Sequence, residues 1–280
     1  MVLGEQGQVL RAAVLGSPVS HSLSPLLHTT AYAALGLPDW TYTRREVTAD
    51  ELAGVVAGLD GSWRGLSLTM PLKEAALGVA STVSDVAREA GAVNTLVRRD
   101  DGGWDGHNTD VDGIVGALRG AVHDGRATLL GSGATSRSAA LALVDLGVGE
   151  VVVAARNADA AVDVVALLVV HGVAARSVPL AEWVEEPGRV VVSTLPPGAS
   201  PSVATLLDTT GADLAGVTLL DVVYADWPTP LARAAQAHGA EVVSGLEMLV
   251  HQAAAQVELF TGRPAPREAM AAAAHREVGA

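Results

Sequence analysis

Lys73 is the single lysine of a chain that otherwise carries seventeen arginines. As chemistry the two cations differ. A lysine ammonium can give and take a proton as its surroundings dictate, whereas a guanidinium effectively stays charged. A solitary lysine closing the stretch GLSLTMPLK (Gly65–Lys73) is therefore a candidate acid–base group, set against the plainer reading of a residue on a helix surface. Three further polar stretches accompany it: GSPVSHSLSPLLH (Gly16–His28), GAVNTL (Gly91–Leu96) and GHNTDVDG (Gly106–Gly113). Together the four offer hydroxyls at Ser22, Ser24 and Thr69, amides at Asn94 and Asn108, the Lys73 ammonium and the Asp110 carboxylate. Each stretch follows or precedes an expected strand, and ligand sites of α/β folds gather at strand ends. The inventory suits a small, hydroxyl-rich, anionic ligand.

A second constellation lies in ATLLGSGATSRSAALALVDLGVGEVVVAARN (Ala127–Asn157), which reads as strand, glycine turn, helix, strand. Gly131 permits the tight turn, and Gly133 lets a pyrophosphate approach the helix N-terminus. Ser132, Ala134 and Thr135 complete the turn, and Ser136 stands where the common fingerprint has its third glycine. The second strand ends in Ala154-Ala155-Arg156-Asn157. An acid there would favour NAD by holding the ribose hydroxyls. Arg156 instead can pair with a 2′-phosphate and stack on adenine, which favours NADP. A surface arginine and a turn that binds nothing are the alternatives, and Asp159 nearby keeps NAD open.

The elements that must position these groups fall into two α/β domains. The first alternates strands (Val9–Gly16, Trp40–Val47, Trp63–Thr69) with helices (Pro25–Leu35, Glu51–Leu59), and closes on a hairpin, Val93–Arg98 with Trp104–Asn108. Pro71 suits the opening of a helix that would carry Lys73 in its first turn. After Asp110 the stretch VDGIVGALRGAV (Val111–Val122) reads as a helix, and the strands become short, nearly continuous apolar runs: ATLLG, EVVVAA, RVVVSTL and VTLLDVV, then AEVVSG. Runs of that kind are buried on both faces of a parallel sheet covered by helices. The expected division is a first domain, residues 1–110 joined by a C-terminal helix 245–280, and a doubly wound domain, residues 111–244, with a cleft separating them.

Composition narrows the classes. The net charge is −13 without a basic stretch, which argues against nucleic acid or an anionic membrane as partner. Cysteine is absent, so thiol nucleophiles, disulfides and Cys-held metals are excluded, and the eight histidines show no tight ligand spacing. No stretch is long and apolar enough for a membrane span, and the first residues carry no basic, apolar leader pattern. A cytoplasmic monomer or homodimer acting on a small molecule is the expectation.

In order along the chain, GSPVSHSLSPLLH, TMPLK, GAVNT, NTDVDG, the glycine turn, VSTLPPG (Val192–Gly198), DVVYADWPTPL (Asp221–Leu231) and GLEMLVHQA (Gly245–Ala253) resemble the shikimate dehydrogenase family. The resemblance implies a two-domain α/β fold, a substrate-binding domain and a Rossmann-like NADP-binding domain. It also implies NADPH-dependent reduction of 3-dehydroshikimate to shikimate, on the route to aromatic amino acids. Carried over by position, it implies that Ser22 and Ser24 hold the substrate carboxylate. Thr69, Asn94 and Gln252 would contact the carboxylate or hydroxyls, Tyr224 would line the cofactor side, and Lys73 with Asp110 would be the catalytic pair. Thr194, in VSTLPPG, and Gly245 join the glycine turn and Arg156 as expected cofactor contacts. The chain departs from the family pattern at Ser67, where Asn is usual, at Thr29 after His28, and in the turn GSGATS.

Carbonyl reduction by hydride builds negative charge on oxygen, so the pair's task would be proton transfer. A helix N-terminus disfavours a cation at Lys73, while Asp110 favours it, and the two should titrate together. Asp110 has an alternative use as N-cap of a helix starting at Val111. Ser22 and Ser24 could likewise cap the helix at Pro25, and Tyr224 could be plain packing. His21, His28 and His107 read as structural, and Asp112 as pointing elsewhere. The rival functions are an NAD-linked quinate/shikimate dehydrogenase and a non-catalytic NADP-sensing protein of the same fold.

Overall fold

The computed structural model describes residues 9–121 and 124–279; the expected helix end at Val122 and the N-terminal residues 1–8 lie outside the described residues. The chain forms two compact units, one made of residues 1–110 with 249–280, the other of residues 111–248.

The first unit begins β1 (Leu10–Gly16), α1 (Ser24–Ala34), β2 (Trp40–Glu46), α2 (Ala49–Ala57) and β3 (Trp63–Leu68). It continues with α3 (Leu72–Ala75), β4 (Thr82–Val83), α4 (Asp85–Glu89), β5 (Thr95–Arg98) and β6 (Trp104–His107). The sheet order is β2-β1-β3-β5-β6-β4. β1 runs parallel to β2 and β3, while β5 runs antiparallel to both β3 and β6, with Thr95 opposite His107. Local chemistry sets the ends: α2 starts at a Thr48–Glu51 capping box, the Thr48 N–H donating to the Glu51 carboxylate at 2.9 Å. One core cluster gathers Leu15, Leu52, Leu66, Leu72, Leu96 and Trp104. Burying each leucine contributes roughly 1.5–3 kcal/mol. A second cluster holds Tyr32, Tyr42 and Phe260, with Trp40 packed on it. That places two of the three tyrosines and the one phenylalanine together.

The second unit contains α5 (Asp110–Ala117, from Val111 on), β7 (Arg126–Leu130), α6 (Ala134–Asp145), β8 (Glu150–Ala155), α7 (Ala158–Val170) and β9 (Ala174–Pro179). Then come β10 (Val190–Ser193), α8 (Ser200–Thr210), β11 (Thr218–Asp221), α9 (Pro230–Ala237) and β12 (Glu241–Ser244). All six strands are parallel, in the order β12-β11-β10-β7-β8-β9. Their apolar runs are buried, as residues covered by helices on both faces must be. The strand order reverses between β7 and β10, the switch point where doubly wound sheets bind ligands. The chain returns to the first unit within α10 (Gly245–Thr261) and ends in α11 (Arg267–Val278).

Several boundaries differ from expectation. The C-terminal segment is two helices, broken at Gly262–Pro266, because Gly262 adopts a left-handed φ of 67° and two prolines follow. Strand β9, the short β4 and α4 give weak sequence signals: β9 alternates poorly on an edge, and the other two are too short for a period. α1 starts at Ser24, one residue early. α5 starts at Asp110 itself. Among the described residues no helix is long and apolar enough to cross a membrane, and none of their acidic and histidine side chains cluster as a metal site.

Candidate active site

Lys73 is the second residue of α3, a single turn preceded by Pro71, whose own backbone is not helical. So short a helix has little dipole, which removes most of the electrostatic penalty expected for the lysine. What fixes Lys73 is its neighbourhood. Its carbonyl accepts from the Val93 N–H at 2.8 Å, tying α3 to the approach of β5. Its Nζ donates to Asp110 Oδ2 at 2.6 Å. The two side chains keep only 15% and 6% of their exposure.

Asp110 is the first residue of α5. Its N–H donates to Asn108 Oδ1 at 3.0 Å, and its Oδ2 faces Lys73. Asn94 Nδ2 donates to Asp110 Oδ1 at 2.9 Å, so the two carboxylate oxygens face an amide and an ammonium. Asn108 is itself anchored on the Ala92 carbonyl at 3.0 Å. Asp112, two residues on, is exposed, whereas Asp110 is buried.

Behind this pair lies a buried polar chain. Asn94 Oδ1 accepts from the Thr109 N–H at 2.8 Å and from Thr95 Oγ1 at 2.7 Å. Gln256 Nε2 donates to Thr95 Oγ1 at 2.9 Å, and Ser67 Oγ donates to Gln256 Oε1 at 2.7 Å. Tyr42 OH donates to Ser67 Oγ at 2.7 Å and is bonded to the Ser24 side chain as well. Burial pushes the Tyr42 phenol well above its ordinary range, with the Ser67 and Ser24 hydrogen bonds acting in the other direction. His28 stacks on Tyr42 at 3.9 Å between centroids, and burial pushes its pKa down to about 3 against a weaker raising effect of Gln256. His28 is thus a neutral core residue. His21 is exposed, and burial lowers the half-buried His107 despite nearby Asp105.

The remaining first-unit candidates lie before and on α1, after β3 and on α10. Ser24 is buried at the start of α1, and its N–H donates to Ser22 Oγ at 3.3 Å. Ser22 thus braces the turn before the helix, while the cap position itself is Leu23. Thr69 follows β3, bonded through its N–H to the Leu15 carbonyl at 2.9 Å. Gly16 leaves the space its methyl fills, since a Cβ there would lie 2.3 Å from Thr69 Cγ2. Gln252 is buried one turn before Gln256 on α10 and donates to the Leu249 carbonyl at 3.2 Å. Gln256, Thr95 and Tyr42 were not singled out from sequence. The available signal was an amide four residues after Gln252, hence on the same helix face, in an alanine-rich helix.

In the second unit, Gly131 and Thr194 directly follow the neighbouring strands β7 and β10 at the switch point. Gly131 has φ 118°, and a Cβ there would lie 2.5 Å from Thr194 Oγ1. Thr194 Oγ1 and Ser136 Oγ are 2.6 Å apart, and the Gly133 N–H donates to Ser136 Oγ at 3.0 Å, bracing the turn. Ser132, Ala134 and Thr135 follow into α6, whose first turn holds no acid. A Cβ at Gly133 would meet nothing within 4 Å. The open approach to a twelve-residue helix N-terminus free of acids fits a dinucleotide pyrophosphate. Arg156 is exposed directly after β8, and Asn157 caps α7 by accepting from the Ala160 N–H at 3.1 Å. Tyr224 is half-buried in the loop after β11. That loop is clamped by Asp221, whose carboxylate accepts from Thr229 Oγ1 at 2.7 Å and whose pKa is raised by burial. Gly245 opens α10 where a Cβ would lie 2.2 Å from the Val222 carbonyl oxygen, so close packing against that loop accounts for this glycine.

A lysine–carboxylate pair at the strand ends of one α/β unit, and a glycine turn at the switch point of another, are the equipment of a dinucleotide-dependent oxidoreductase. Comparison with known proteins agrees. A family model for the shikimate dehydrogenase substrate binding domain matches residues 14–96, and one for the shikimate 5'-dehydrogenase C-terminal domain matches residues 245–275. The shikimate dehydrogenase (NADP(+)) of Synechococcus sp. (strain JA-3-3Ab) is 37% identical over 97% of this chain and 95% of its own length. That of Anaeromyxobacter sp. (strain Fw109-5) is 40% identical over 95% and 96%. The crystal structure of Mycobacterium tuberculosis shikimate dehydrogenase matches with TM-score 0.86 and 48% identity, over 95% of this chain and 99% of that one. The Thermus thermophilus enzyme in complex with NADP(H) and shikimate matches with TM-score 0.82 and 35% identity, over 95% and 99%. The chain belongs to the shikimate dehydrogenase family.

Proposed function

We propose that the protein catalyses the reversible reduction of 3-dehydroshikimate to shikimate with NADPH, and that Lys73 and Asp110 carry its proton transfer. The observation that supports this most is the Lys73–Asp110 pair, 2.6 Å apart and backed by Asn94. NADPH, when bound, supplies the hydride. As the carbonyl carbon is reduced, its oxygen gains charge and takes a proton from Lys73 Nζ, becoming the new hydroxyl. Asp110 keeps the ammonium oriented and stabilises it, and in the reverse direction neutral Lys73 accepts the hydroxyl proton. A lysine can serve both directions where an arginine cannot.

The substrate carboxylate is read as held by Ser22 and Ser24, with Thr69, Asn94 and Gln252 contacting its carboxylate or hydroxyls and Tyr224 lining the cofactor side. On this reading residues 1–110 with the C-terminal helices form the substrate domain, and residues 111–244 the NADP domain. Gly131, Ser132, Gly133, Ala134 and Thr135 would cradle the pyrophosphate, with Thr194 and Gly245 as further cofactor contacts. Arg156, in place of an acid, supports a 2′-phosphate and hence NADP. We place the protein in the cytoplasm, acting on dissolved substrate.

The test is a spectrophotometric assay of nicotinamide reduction with shikimate and quinate, each with NADP and with NAD. Turnover of shikimate with NADP, lost in Lys73→Ala, is the expected result. Turnover only with quinate and NAD, or cofactor binding with no turnover of either acid, overturns the reading.

A further inference from the structure

The polar chain behind Asp110 runs in one direction, and the direction follows from groups whose hydrogen-bonding roles are fixed. The Thr109 backbone N–H can only donate, and it lies 2.8 Å from Asn94 Oδ1. Nδ2 of Asn94 is therefore the atom turned to Asp110 Oδ1. Thr95 Oγ1, 2.7 Å from Asn94 Oδ1, gives its one proton there and is left to accept. It accepts from Gln256 Nε2, whose identity as the NH2 group is fixed independently by the Asn94 backbone carbonyl at 3.3 Å, an acceptor only. Gln256 Oε1 must then be met by donors, and it is: Ser67 Oγ at 2.7 Å and His28 Nε2 at 3.4 Å. A neutral His28 with its proton on Nε2 leaves Nδ1 bare, and Nδ1 is indeed a buried atom with no hydrogen-bond partner. From Tyr42 through Ser67, Gln256, Thr95 and Asn94, every donor thus points toward the Asp110 carboxylate.

Gln256 is the joint of this chain. It keeps 1% of its exposure and joins the last long helix to β3 and β5, bonding residues 161 and 189 positions away. Its amide cannot turn over without setting an oxygen against the Asn94 carbonyl. With Gln256 donating to its hydroxyl, Thr95 has its one proton to give, and Asn94 Oδ1 at 2.7 Å is a nearer acceptor than Thr109 Oγ1 at 3.5 Å. Chains of aligned hydrogen bonds also strengthen one another in a low-dielectric interior. We propose that Gln256 is a positioning residue of the Lys73–Asp110 pair: through Thr95 and Asn94 it fixes the amide that holds Asp110 Oδ1, and so keeps Oδ2 directed at Lys73. The inference rests on the reading of Lys73 and Asp110 as the catalytic pair.

The experiment is a double-mutant cycle on the full-length enzyme, with kcat and both KM values read for Gln256→Met, Thr95→Val and the double variant. Gln256→Met is expected to lower kcat about tenfold while leaving the KM for NADP unchanged, because only the orientation of the reacting pair is loosened. In the Thr95→Val background the same substitution should cost no more than about twofold, since the link it acts through is already cut. Thr95→Ser, which keeps the hydroxyl, should retain most of the turnover that Thr95→Val loses. Unchanged kcat in Gln256→Met, or the full loss repeated in the double variant, overturns the proposal. Should Gln256→Met fail to fold, equal turnover in Thr95→Val and Thr95→Ser overturns it. Lys73→Ala assayed alongside separates the two readings: full turnover there overturns the catalytic pair, whereas loss there with wild-type turnover in Gln256→Met overturns only the role of Gln256.

Discussion

Lys73 Nζ sits 2.6 Å from Asp110 Oδ2, and the two residues come from the turn after β3 and the first position of α5, 37 residues apart. Both side chains are largely withdrawn from water. The attraction is therefore screened less than in a surface pair, and each charge depends on the other for its place.

Replacing Lys73 by Ala should lower kcat by about 10²–10⁴-fold, the range of a positioned general acid. Circular dichroism and NADPH titration should show the fold and cofactor binding retained, because α3 is a single turn held by its backbone, the Lys73 carbonyl accepting from the Val93 N–H. Lys73→Arg keeps the charge beside Asp110 but cannot pass a proton, so it should stay near the Ala level. Wild-type turnover in the arginine variant would refute the proton-transfer role.

Asp110→Asn removes the carboxylate charge 2.6 Å from an ammonium that keeps 15% of its exposure. That geometry lies between a surface and a buried pair, so a stability loss of about 1–3 kcal/mol is expected. Thermal melts should show it together with a fall in kcat. A variant as stable as the wild type would mean that the pair contributes nothing to the folded state.

Arg156→Ala should raise the KM for NADPH about tenfold or more and leave that for NADH nearly unchanged, since only NADPH carries the 2′-phosphate. Steady-state kinetics with both cofactors measures the ratio. Equal changes for the two would show that Arg156 does not read the phosphate.

His28 makes acid unfolding sharper. Unfolded, it binds a proton below about pH 6.5, whereas burial holds it neutral in the fold down to about 3. Between those values the unfolded state binds more protons, so stability falls as pH falls, by at most roughly 1.4 kcal/mol per unit. His28→Phe, which keeps a ring on Tyr42, should flatten that slope in urea midpoints taken from about pH 7 down to about pH 4.5. Parallel slopes in the two proteins would sink the assignment.

Much of the architecture was legible because it is written in local periods. The apolar runs of β7, β8, β10 and β11 announce a parallel sheet, and the glycine turn with its flanking strand and helix announces a dinucleotide site. The hairpin of β5 and β6 followed from alternation around Asp101-Gly102-Gly103. Lys73 and Asp110 stood out by type and motif. What sequence did not disclose is held by distance. Ser67 looked like an anomaly until its partner 189 residues away supplied the amide. The break between α10 and α11 was signalled by Gly262, Pro264 and Pro266, yet the helix beyond it is amphipathic too weakly to be read. The pairing of Asp110 with Lys73, 37 residues away, depends on tertiary packing, which no local pattern encodes.

The first unit is discontinuous, and this has a consequence for the order of its assembly. Strands β1 to β6 leave the ribosome long before α10 is made, so Ser67, Thr95 and the Asn94 carbonyl wait through more than half of synthesis without the side chain that joins them. Lys73 and Asp110 can meet early, but their final alignment is a late event, and a chain interrupted before residue 256 would carry both charged groups and still lack the hydrogen bonds of Gln256 behind them.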